Sequence, residues 1–338
     1  MEYGAIDLHA RRSQVRIIDD TERVVLDRRI DTTRADFVRV FGERPAMRIV
    51  VESGTGSEWV AQTLEGLGHA VVVVDPNFAA MYGDRRRAVK TDRRDVAALA
   101  AACRSGVYRA AHRIGRATQV RRQQLRVRAQ LIRVRTQAIN LLRATLRQEG
   151  LRLGLGHPES VERRLARLPL PPDTTQVLTP IRALLAALGD QIAAADRWVV
   201  ATAKQEAVAQ RLMTVPGVGP VIALSFQATL DTPARFGGDA ARASAYLGLV
   251  PAEYSSGERQ HKGRITKAGP PGLRALLVQA AWAVWRRPGA AGAALHAWVH
   301  RLSDRRGRRI AIVALARRQS RILFAVWRDD RAFVPAGA

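Results

Sequence analysis

The chain has 338 residues, 47% of them hydrophobic, and a formal net charge of +25. This length and composition predict a globular protein with two or three domains. Its single cysteine, Cys103, excludes an internal disulfide and is typical of a reducing cytosol. The longest apolar run, 275–285, is far shorter than the roughly 20 residues of a membrane span. Charged residues interrupt the first stretch, 1–18, so we expect a cytoplasmic protein with no signal peptide and no membrane segment.

The positive charge is concentrated in the later part of the chain. Residues 1–100 carry no net charge, whereas residues 101–150 carry +11 and residues 151–338 carry +14. A neutral first third followed by a strongly cationic remainder predicts a catalytic domain followed by a surface that binds a polyanion. Nucleic acid fits this pattern better than a membrane, because no segment joins the charge to an exposed apolar face of the interfacial kind.

The first hundred residues alternate between strand and helix patterns. Five segments have the apolar or alternating pattern of strands: 3–9, 14–19, 23–30, 47–52 and 69–75. A helix is predicted at 57–67, between the last two strands. Three strands in succession, followed by alternating helix and strand, predict an α/β domain with a mixed sheet.

Four acidic residues occur where this domain would bring them together. Asp7 comes towards the end of the first predicted strand and Glu52 at the end of the fourth. Asp92 and Asp95 are three residues apart at the start of a helical run, 96–103, and therefore share one helix face. Because ligands gather at strand ends in α/β sheets, we expect a four-carboxylate cluster that holds one or two Mg²⁺ ions beside a phosphodiester. The order strand, strand, helix is typical of a ribonuclease H-like nuclease.

Each of these acids also has a simpler interpretation. A carboxylate at a helix start is favoured by the helix dipole, and most isolated acids are solvated surface charge. The pair Asp92 and Asp95 is flanked by five basic residues, so salt bridges could balance it without a metal: Arg87, Lys90, Arg93, Arg94 and Arg104.

A long arginine-rich helix is predicted at 117–148, which contains no proline or glycine. Residues at alternating steps of three and four form a heptad seam: Gln124, Val127, Leu131, Val134, Ala138, Leu141 and Thr145. Four further apolar residues widen this seam: Leu125, Ile132, Ile139 and Leu146. One interpretation is a helix packed on its own domain with a solvated basic face. The other is a dimerising coiled coil whose arginines run along nucleic-acid phosphates, with Arg121, Arg128 and Arg135 as the candidate contacts. Turn residues place a domain boundary near 150–175, and a second long helical pattern follows at 179–210.

The last third begins with the pattern of a helix-hairpin-helix turn at 212–223. Gly217 and Gly219 permit a tight hairpin, and the backbone N–H groups at the start of its second helix can bind a phosphate without reading sequence. A plain helical turn is the alternative.

A serine beside glycine follows in a strongly basic loop. Ser256 precedes Gly257, Ser255 adjoins it, and four cations surround the segment: Arg259, Lys262, Arg264 and Lys267. The Ser-Gly pair is either an ordinary turn or a nucleophile facing a phosphate, with cations that stabilise the developing charge. No histidine and carboxylate partner is evident nearby, so such a serine would need activation by a metal or a remote acid.

Together these motifs resemble the DEDD-type insertion-sequence transposases, which are bacterial recombinases steered by a bridge RNA. The resemblance spans nearly the whole chain and is carried by these segments: Ala5-Ile6-Asp7, Val51-Glu52-Ser53-Gly54, Thr91-Asp92-Arg93-Arg94-Asp95, Val215-Pro216-Gly217-Val218-Gly219, and Gly248-Leu249-Val250-Pro251 through Ser256-Gly257 to Lys267-Ala268-Gly269.

The resemblance implies a ribonuclease H-like (RuvC-like) catalytic domain at 1–110, a coiled-coil assembly region at 111–210, and a helical C-terminal domain with the hairpin at 211–338. It implies that Asp7, Glu52, Asp92 and Asp95 hold Mg²⁺ and that Ser256 attacks the DNA backbone. It also implies donor and target DNA, a structured non-coding guide RNA, and homodimers that pair into tetramers.

Two other functions fit parts of the sequence. A metal-dependent nuclease of the Holliday-junction type would use water as the nucleophile and leave Ser256 structural. A non-enzymatic nucleic-acid-binding protein would account for the charge but would leave the acidic tetrad without a role.

Overall fold

A computed structural model describes residues 1–75, 92–254 and 262–335. The chain forms two compact units, Met1–Arg113 and Ile114–Ala338. The predicted division into three domains, at 110 and 210, stays a prediction.

The first unit is built on a mixed five-stranded sheet. Its strands are β1 (Tyr3–Asp7), β2 (Arg12–Ile18), β3 (Val24–Asp31), β4 (Arg48–Glu52) and β5 (Ala70–Val74). They lie in the order β3-β2-β1-β4-β5. The first three strands pair antiparallel, whereas β1, β4 and β5 run parallel to one another. The predicted α/β domain with a mixed sheet is therefore confirmed.

Helices cover both faces of this sheet. Side chains alternate between the two sides of a strand, so each face presents apolar residues that a helix can cover. Along β1, Ile6 packs in a core with the helices α1 (Arg34–Phe41) and α2 (Ser57–Gly66), while Ala5 packs in another with α3 (Asp92–Ser105). Sequence patterns did not predict α1. Its N-cap is Thr33, whose side chain accepts a hydrogen bond from the Asp36 N–H at 3.2 Å.

The second unit is mainly helical. Its helices are α4 (Arg116–Gln148), α5 (Val161–Leu165), α6 (Pro172–Gln205), α7 (Ala207–Leu212), α8 (Pro220–Leu230), α9 (Ala240–Tyr246), α10 (Pro271–Arg286), α11 (Gly289–Arg306) and α12 (Arg308–Arg328). A short hairpin, β6 (Pro251–Glu253) with β7 (Lys262–Ile265), lies between α9 and α10. The helices from α7 onwards share one apolar core with the end of α6.

The long helices α4 and α6 pack against each other, and three of the four residues buried on α4 belong to the predicted seam as widened: Ala138, Ile139 and Leu146. Ile139, Leu142 and Leu146 are buried, whereas Val127 is 58% exposed and Leu141 is 56% exposed. The seam is thus partly packed inside the chain, while Val127 and Leu141 stay exposed. The coiled coil and the helix-hairpin-helix stay predictions.

Within the described residues, α6 is the one helix long and apolar enough to cross a membrane by length and composition alone. Only 17% of its most apolar window is buried. Charged residues interrupt this helix, so a search for uninterrupted apolar runs does not find it. Asp196, near its C-terminal end, pairs with Arg128 of α4, Nε to Oδ1 2.5 Å, as expected of a helix packed in a folded unit. The cytoplasmic location stays a prediction.

Candidate active site

Two of the predicted acids lie side by side at the carboxyl edge of the sheet. Asp7 ends β1 and Glu52 ends β4, and these parallel strands pair Ile6 with Val51 immediately before the acids. The side chains of Asp7 and Glu52 are hydrogen-bonded to each other. Since a carboxylate only accepts hydrogen bonds, such a pair shares a proton.

The environment of Asp7 disfavours its ionised form. Its residue surface is 4% exposed, and this burial is the main reason that its pKa lies above the usual value. The negative charges of Asp92 and Asp95 raise the pKa of Asp7 further, while His9 and the hydrogen bond with Glu52 lower it. A buried carboxyl group among other carboxylates is stabilised in its charged form by a cation.

Helix α3 supplies the other two acids. Asp92 and Asp95 occupy its first turn, where the free N–H groups and the helix dipole favour negative charge. This helix packs on β1 and β2 through Val96, Leu99 and Cys103, so its N-terminal end is fixed beside the end of β1. The structure therefore brings Asp7 and Asp92 together and places Asp95 within electrostatic range of Asp7.

A histidine that the sequence analysis did not single out joins this cluster. The Nε2 atom of His9 lies 3.4 Å from Oδ2 of Asp7 and 3.6 Å from Oδ1 of Asp92. Arg29 of β3 approaches Asp92 from the other side, with its terminal nitrogen 3.9 Å from Oδ2. The signal for His9 was its position two residues after Asp7, just beyond the strand end.

These side chains fit a divalent metal ion. One ligand atom from each of Asp7, His9 and Asp92 can be chosen so that all lie within 4.8 Å of one another. Carboxylate oxygens suit Mg²⁺ and Mn²⁺, and an imidazole nitrogen favours the softer of such ions. The choice of Mg²⁺ stays a prediction.

In the second unit, the glycines around the serine motif form the base of the hairpin that carries it. Gly248 has φ +67°, and a Cβ there would stand 2.2 Å from the Ala268 carbonyl oxygen. Gly269 has φ +73°, and a Cβ there would stand 1.9 Å from the Tyr246 carbonyl oxygen. The segments before β6 and after β7 are therefore in direct backbone contact, which only glycine allows at these positions. The Lys267 N–H also donates to the Gly248 carbonyl at 3.2 Å.

The predicted nucleophile, Ser256, comes between β6 and β7 in the sequence. Ser255, Ser256 and Arg259 fall outside the described residues, as does the side chain of Lys262 at the start of β7. Arg264 and Lys267 are exposed on the described arm of the hairpin, where they can reach an anionic ligand.

The predicted phosphate-binding turn lies between α7 and α8. Gly217 has φ +80°, and its missing side chain allows contact with the Ala280 carbonyl of α10, which a Cβ would approach to 2.5 Å. Gln319 of α12 donates a hydrogen bond to the Pro216 carbonyl at 2.9 Å. Gly219 is the N-cap of α8. This turn is thus held by packing inside the unit, and its contact with phosphate stays a prediction.

The three arginines predicted to contact phosphates already have partners within the chain. Arg128 pairs with Asp196, and Nη1 of Arg135 lies 2.8 Å from Oε1 of Glu159. Arg121 pairs with Glu206, between α6 and α7. Each of these arginine side chains is less than one-fifth exposed: 15% for Arg121, 18% for Arg128 and 15% for Arg135. Their role in binding nucleic acid stays a prediction.

Comparison with known proteins identifies relatives along almost the whole chain. A model of the transposase IS116/IS110/IS902 family matches residues 209–297, and a transposase model of the IS110 DEDD type matches residues 5–150. A probable family 20 transposase of Pseudomonas aeruginosa is 30% identical, over 98% of each chain. The transposase for insertion sequence element IS1111A of Coxiella burnetii is 29% identical over 91% of this chain and 85% of its own. The transposase for insertion sequence element IS1328 of Yersinia enterocolitica is 28% identical over 89% of this chain and 90% of its own.

Proposed function

This chain belongs to the IS116/IS110/IS902 family of insertion-sequence transposases, and we propose that it cuts and rejoins DNA by attack of Ser256 on a phosphodiester, under the direction of a structured guide RNA. The observation that supports this most directly is the cluster of Asp7, His9 and Asp92 at the carboxyl edge of the sheet, with Glu52 hydrogen-bonded to Asp7.

The chemistry needs a nucleophile, a way to stabilise charge on the phosphate, and a leaving group. The Ser256 hydroxyl would form a new Oγ–P bond while a P–O ester bond of the DNA breaks, releasing a DNA hydroxyl that takes up a proton. The reverse attack by a hydroxyl of the exchanged strand breaks the phosphoserine bond and restores the serine. Arg264 and Lys267 would stabilise the charge that grows on the phosphoryl oxygens.

The acidic residues would hold the metal ion implied by the family. Asp7, Glu52, Asp92 and Asp95, together with His9, provide the ligand set, and a bound divalent cation would polarise the phosphate and favour ionisation of the nucleophile. The burial of Asp7 supports this assignment, because its ionised form is disfavoured by burial and by the neighbouring acids and would be stabilised by a bound cation.

We also propose that α4 and α6 assemble copies of the chain into dimers that pair into tetramers. On α4, the exposed apolar residues Val127 and Leu141 are fourteen residues apart, which is two heptads. On α6, Val177 is 58% exposed and Leu184 is 46% exposed, and they too are one heptad apart. Exposed apolar residues at this spacing on paired helices favour helix association between copies.

The serine mechanism is tested by trapping a covalent protein–DNA adduct. Wild-type protein, supplied with DNA substrate and guide RNA, should give a denaturation-resistant adduct and strand exchange, while Ser256→Ala should lose both and still bind DNA. Ser255→Ala is the matched control and should retain both. A nuclease that uses water would cleave DNA without any adduct, and retention of recombination in Ser256→Ala would remove this serine from the mechanism.

The acidic site is tested by Asp7→Asn and Asp92→Asn, with Asp20→Asn as an exposed control in the same unit. The site variants should lose strand exchange and divalent-metal binding by calorimetry, and the control should keep both. If all three variants keep every activity, the chain acts as a non-enzymatic nucleic-acid-binding protein instead.

Assembly is tested by charged substitutions at the exposed apolar residues of α4. Val127→Glu with Leu141→Glu should lower the mass measured by light scattering to that of one chain. The control Val25→Glu, at a 43% exposed valine of the first unit, should leave the mass unchanged. An unaltered mass in the double variant would contradict assembly through α4.

A further inference from the structure

An arginine-lined groove lies in the second unit, and none of the predicted motif residues line it. It is an open groove of ≈ 650 Å³, formed on α12 with contributions from α9 and α11. Its charged residues all belong to α12: Arg317, Arg318, Arg321 and Arg328. Arg317, Arg321 and Arg328 fall on one helix face, since steps of four and seven residues keep side chains on the same side, and Arg318 borders this face.

Small side chains contribute to the lining of this groove. Ala314 and Ala325 of α12 and Ala240 of α9 line it, so the long arginine side chains rise on either side of a shallow apolar surface. Trp298 of α11 lines it as well, and the guanidinium of Arg318 stacks over this indole ring, 4.7 Å from its centre. A cation–π contact of this kind holds the guanidinium in place before any ligand arrives.

Three of the four arginines of this groove have no acidic partner within the part of the chain that the structure describes. Among the described residues, Arg328 pairs with Asp329, Nε to Oδ1 2.7 Å, but no carboxylate forms an ion pair with Arg317, Arg318 or Arg321. Three cations on one groove without an acidic partner in this part of the chain favour an anionic ligand there.

We infer that this groove binds the phosphate backbone of DNA and thereby positions the strand for the serine-bearing hairpin. Guanidinium groups bind phosphates through paired N–H donors, and their spacing along the helix is suited to successive phosphates: about 6 Å of rise from Arg317 to Arg321 and about 10 Å from Arg321 to Arg328. This inference rests on the proposed function in naming DNA as the occupant.

Helix α9 connects the groove to the hairpin. Ala240, at its first residue, lines the groove, and Tyr246, at its last, contacts Gly269 at the base of the hairpin. The distance along this helix is only about 9 Å. The hydroxyls of Ser244 in α9 and Ser320 in α12 lie 3.0 Å apart in the buried interface, so the two helices are fixed to each other. DNA held on α12 would therefore be held close to the base of the hairpin.

The test is a salt titration of DNA binding with a charge-matched control. Arg317→Gln with Arg321→Gln is compared with Arg305→Gln with Arg306→Gln, which removes the same charge from the end of α11 outside the groove. Each protein is titrated with a fluorescent 30-base-pair DNA duplex and with an RNA duplex of the same sequence, in a chelator so that no strand is cut. Each lost phosphate contact should lower the slope of log Kd against log salt by about 0.9.

For the groove variant with DNA, we expect the slope of log Kd against log salt to fall by about 1.8. At low salt this variant should bind DNA roughly a hundredfold more weakly, at about tenfold for each charged contact that is lost. The control should change the slope by much less. Thermal melting of both variants, and the single variant Arg321→Glu at an exposed position, separate lost binding from lost folding.

Equal slopes for the groove variant and the control would overturn the inference, and so would a change confined to the RNA duplex. Because binding is measured without strand cutting, failure here leaves the serine and metal mechanism untouched. Conversely, recombination by Ser256→Ala would refute the proposed mechanism without altering the slopes.

Discussion

The glycines at the base of the serine hairpin give the sharpest structural prediction. Gly269→Ala places a methyl group 1.9 Å from the Tyr246 carbonyl oxygen, at a residue with φ +73°. The left-handed conformation costs an alanine about 1–2 kcal/mol. Separating the two backbone segments to relieve the clash adds about 1–3 kcal/mol, as for other overpacked sites.

A second glycine separates these two costs. Gly289 has φ +60° but nothing within 4 Å of its Cβ position. Gly289→Ala therefore has the free-energy cost of the left-handed conformation and no clash. For a unit of this size, each kcal/mol changes Tm by about 2–4 °C. Calorimetry of the full-length variants should therefore show a Tm for Gly269→Ala about 2–12 °C below that of Gly289→Ala. Equal Tm values would refute the close backbone contact at the base of the hairpin.

The buried acid, the buried thiol and the arginines of α4 each give a measurable prediction. Because the folded-state pKa of Asp7 is raised above 3.8, the folded chain retains this proton to a higher pH than the unfolded chain, and metal-free stability falls as the pH rises through that interval. Asp7→Asn should therefore melt above wild type in a chelator at pH 7, with a difference that shrinks towards pH 4. Burial raises the pKa of Cys103 to about 12, so a thiol reagent at pH 8 should label it only after denaturation; rapid labelling of the native chain would show that this core opens. Arg121→Gln with Arg128→Gln should lower Tm by breaking two ion pairs, at roughly 1 kcal/mol each, whereas the exposed pair Arg126→Gln with Arg133→Gln should leave Tm unchanged and lower the salt slope of DNA binding if DNA follows α4.

The strands of the first unit could be predicted because their signal is local. Alternating or continuous apolar residues predicted all five, with ends that differ by one or two residues from those observed. The carboxyl ends of β1 and β4 placed Asp7 and Glu52 at one edge once the strands were known to be parallel neighbours. Helix α1 was not predicted, because eight residues with three buried side chains give too weak a periodic pattern.

The helical unit shows where a sequence pattern becomes ambiguous. The arginine helix carries one broad apolar seam, and periodicity alone cannot decide which of its residues pack inside the chain. The contact with α6 selects Ile139, Leu142 and Leu146 and leaves Val127 and Leu141 outside. The same contact turns Arg128 towards Asp196, so an arginine chosen for phosphate binding from its spacing is paired within the chain.

By itself, the sequence determined the mixed sheet, the long basic helix and the acidic residues at the strand ends, because each depends on side chains a few positions apart. Tertiary structure alone decided that His9 would stand between Asp7 and Asp92, since the closeness of these groups depends on how α3 packs against β1. It also decided that Arg317 and Arg321 would line the same groove as Ala240, a residue more than seventy positions earlier in the chain. Charges distant in sequence interact strongly only when folding brings them close together and excludes water from between them. No local sequence pattern specifies that distance.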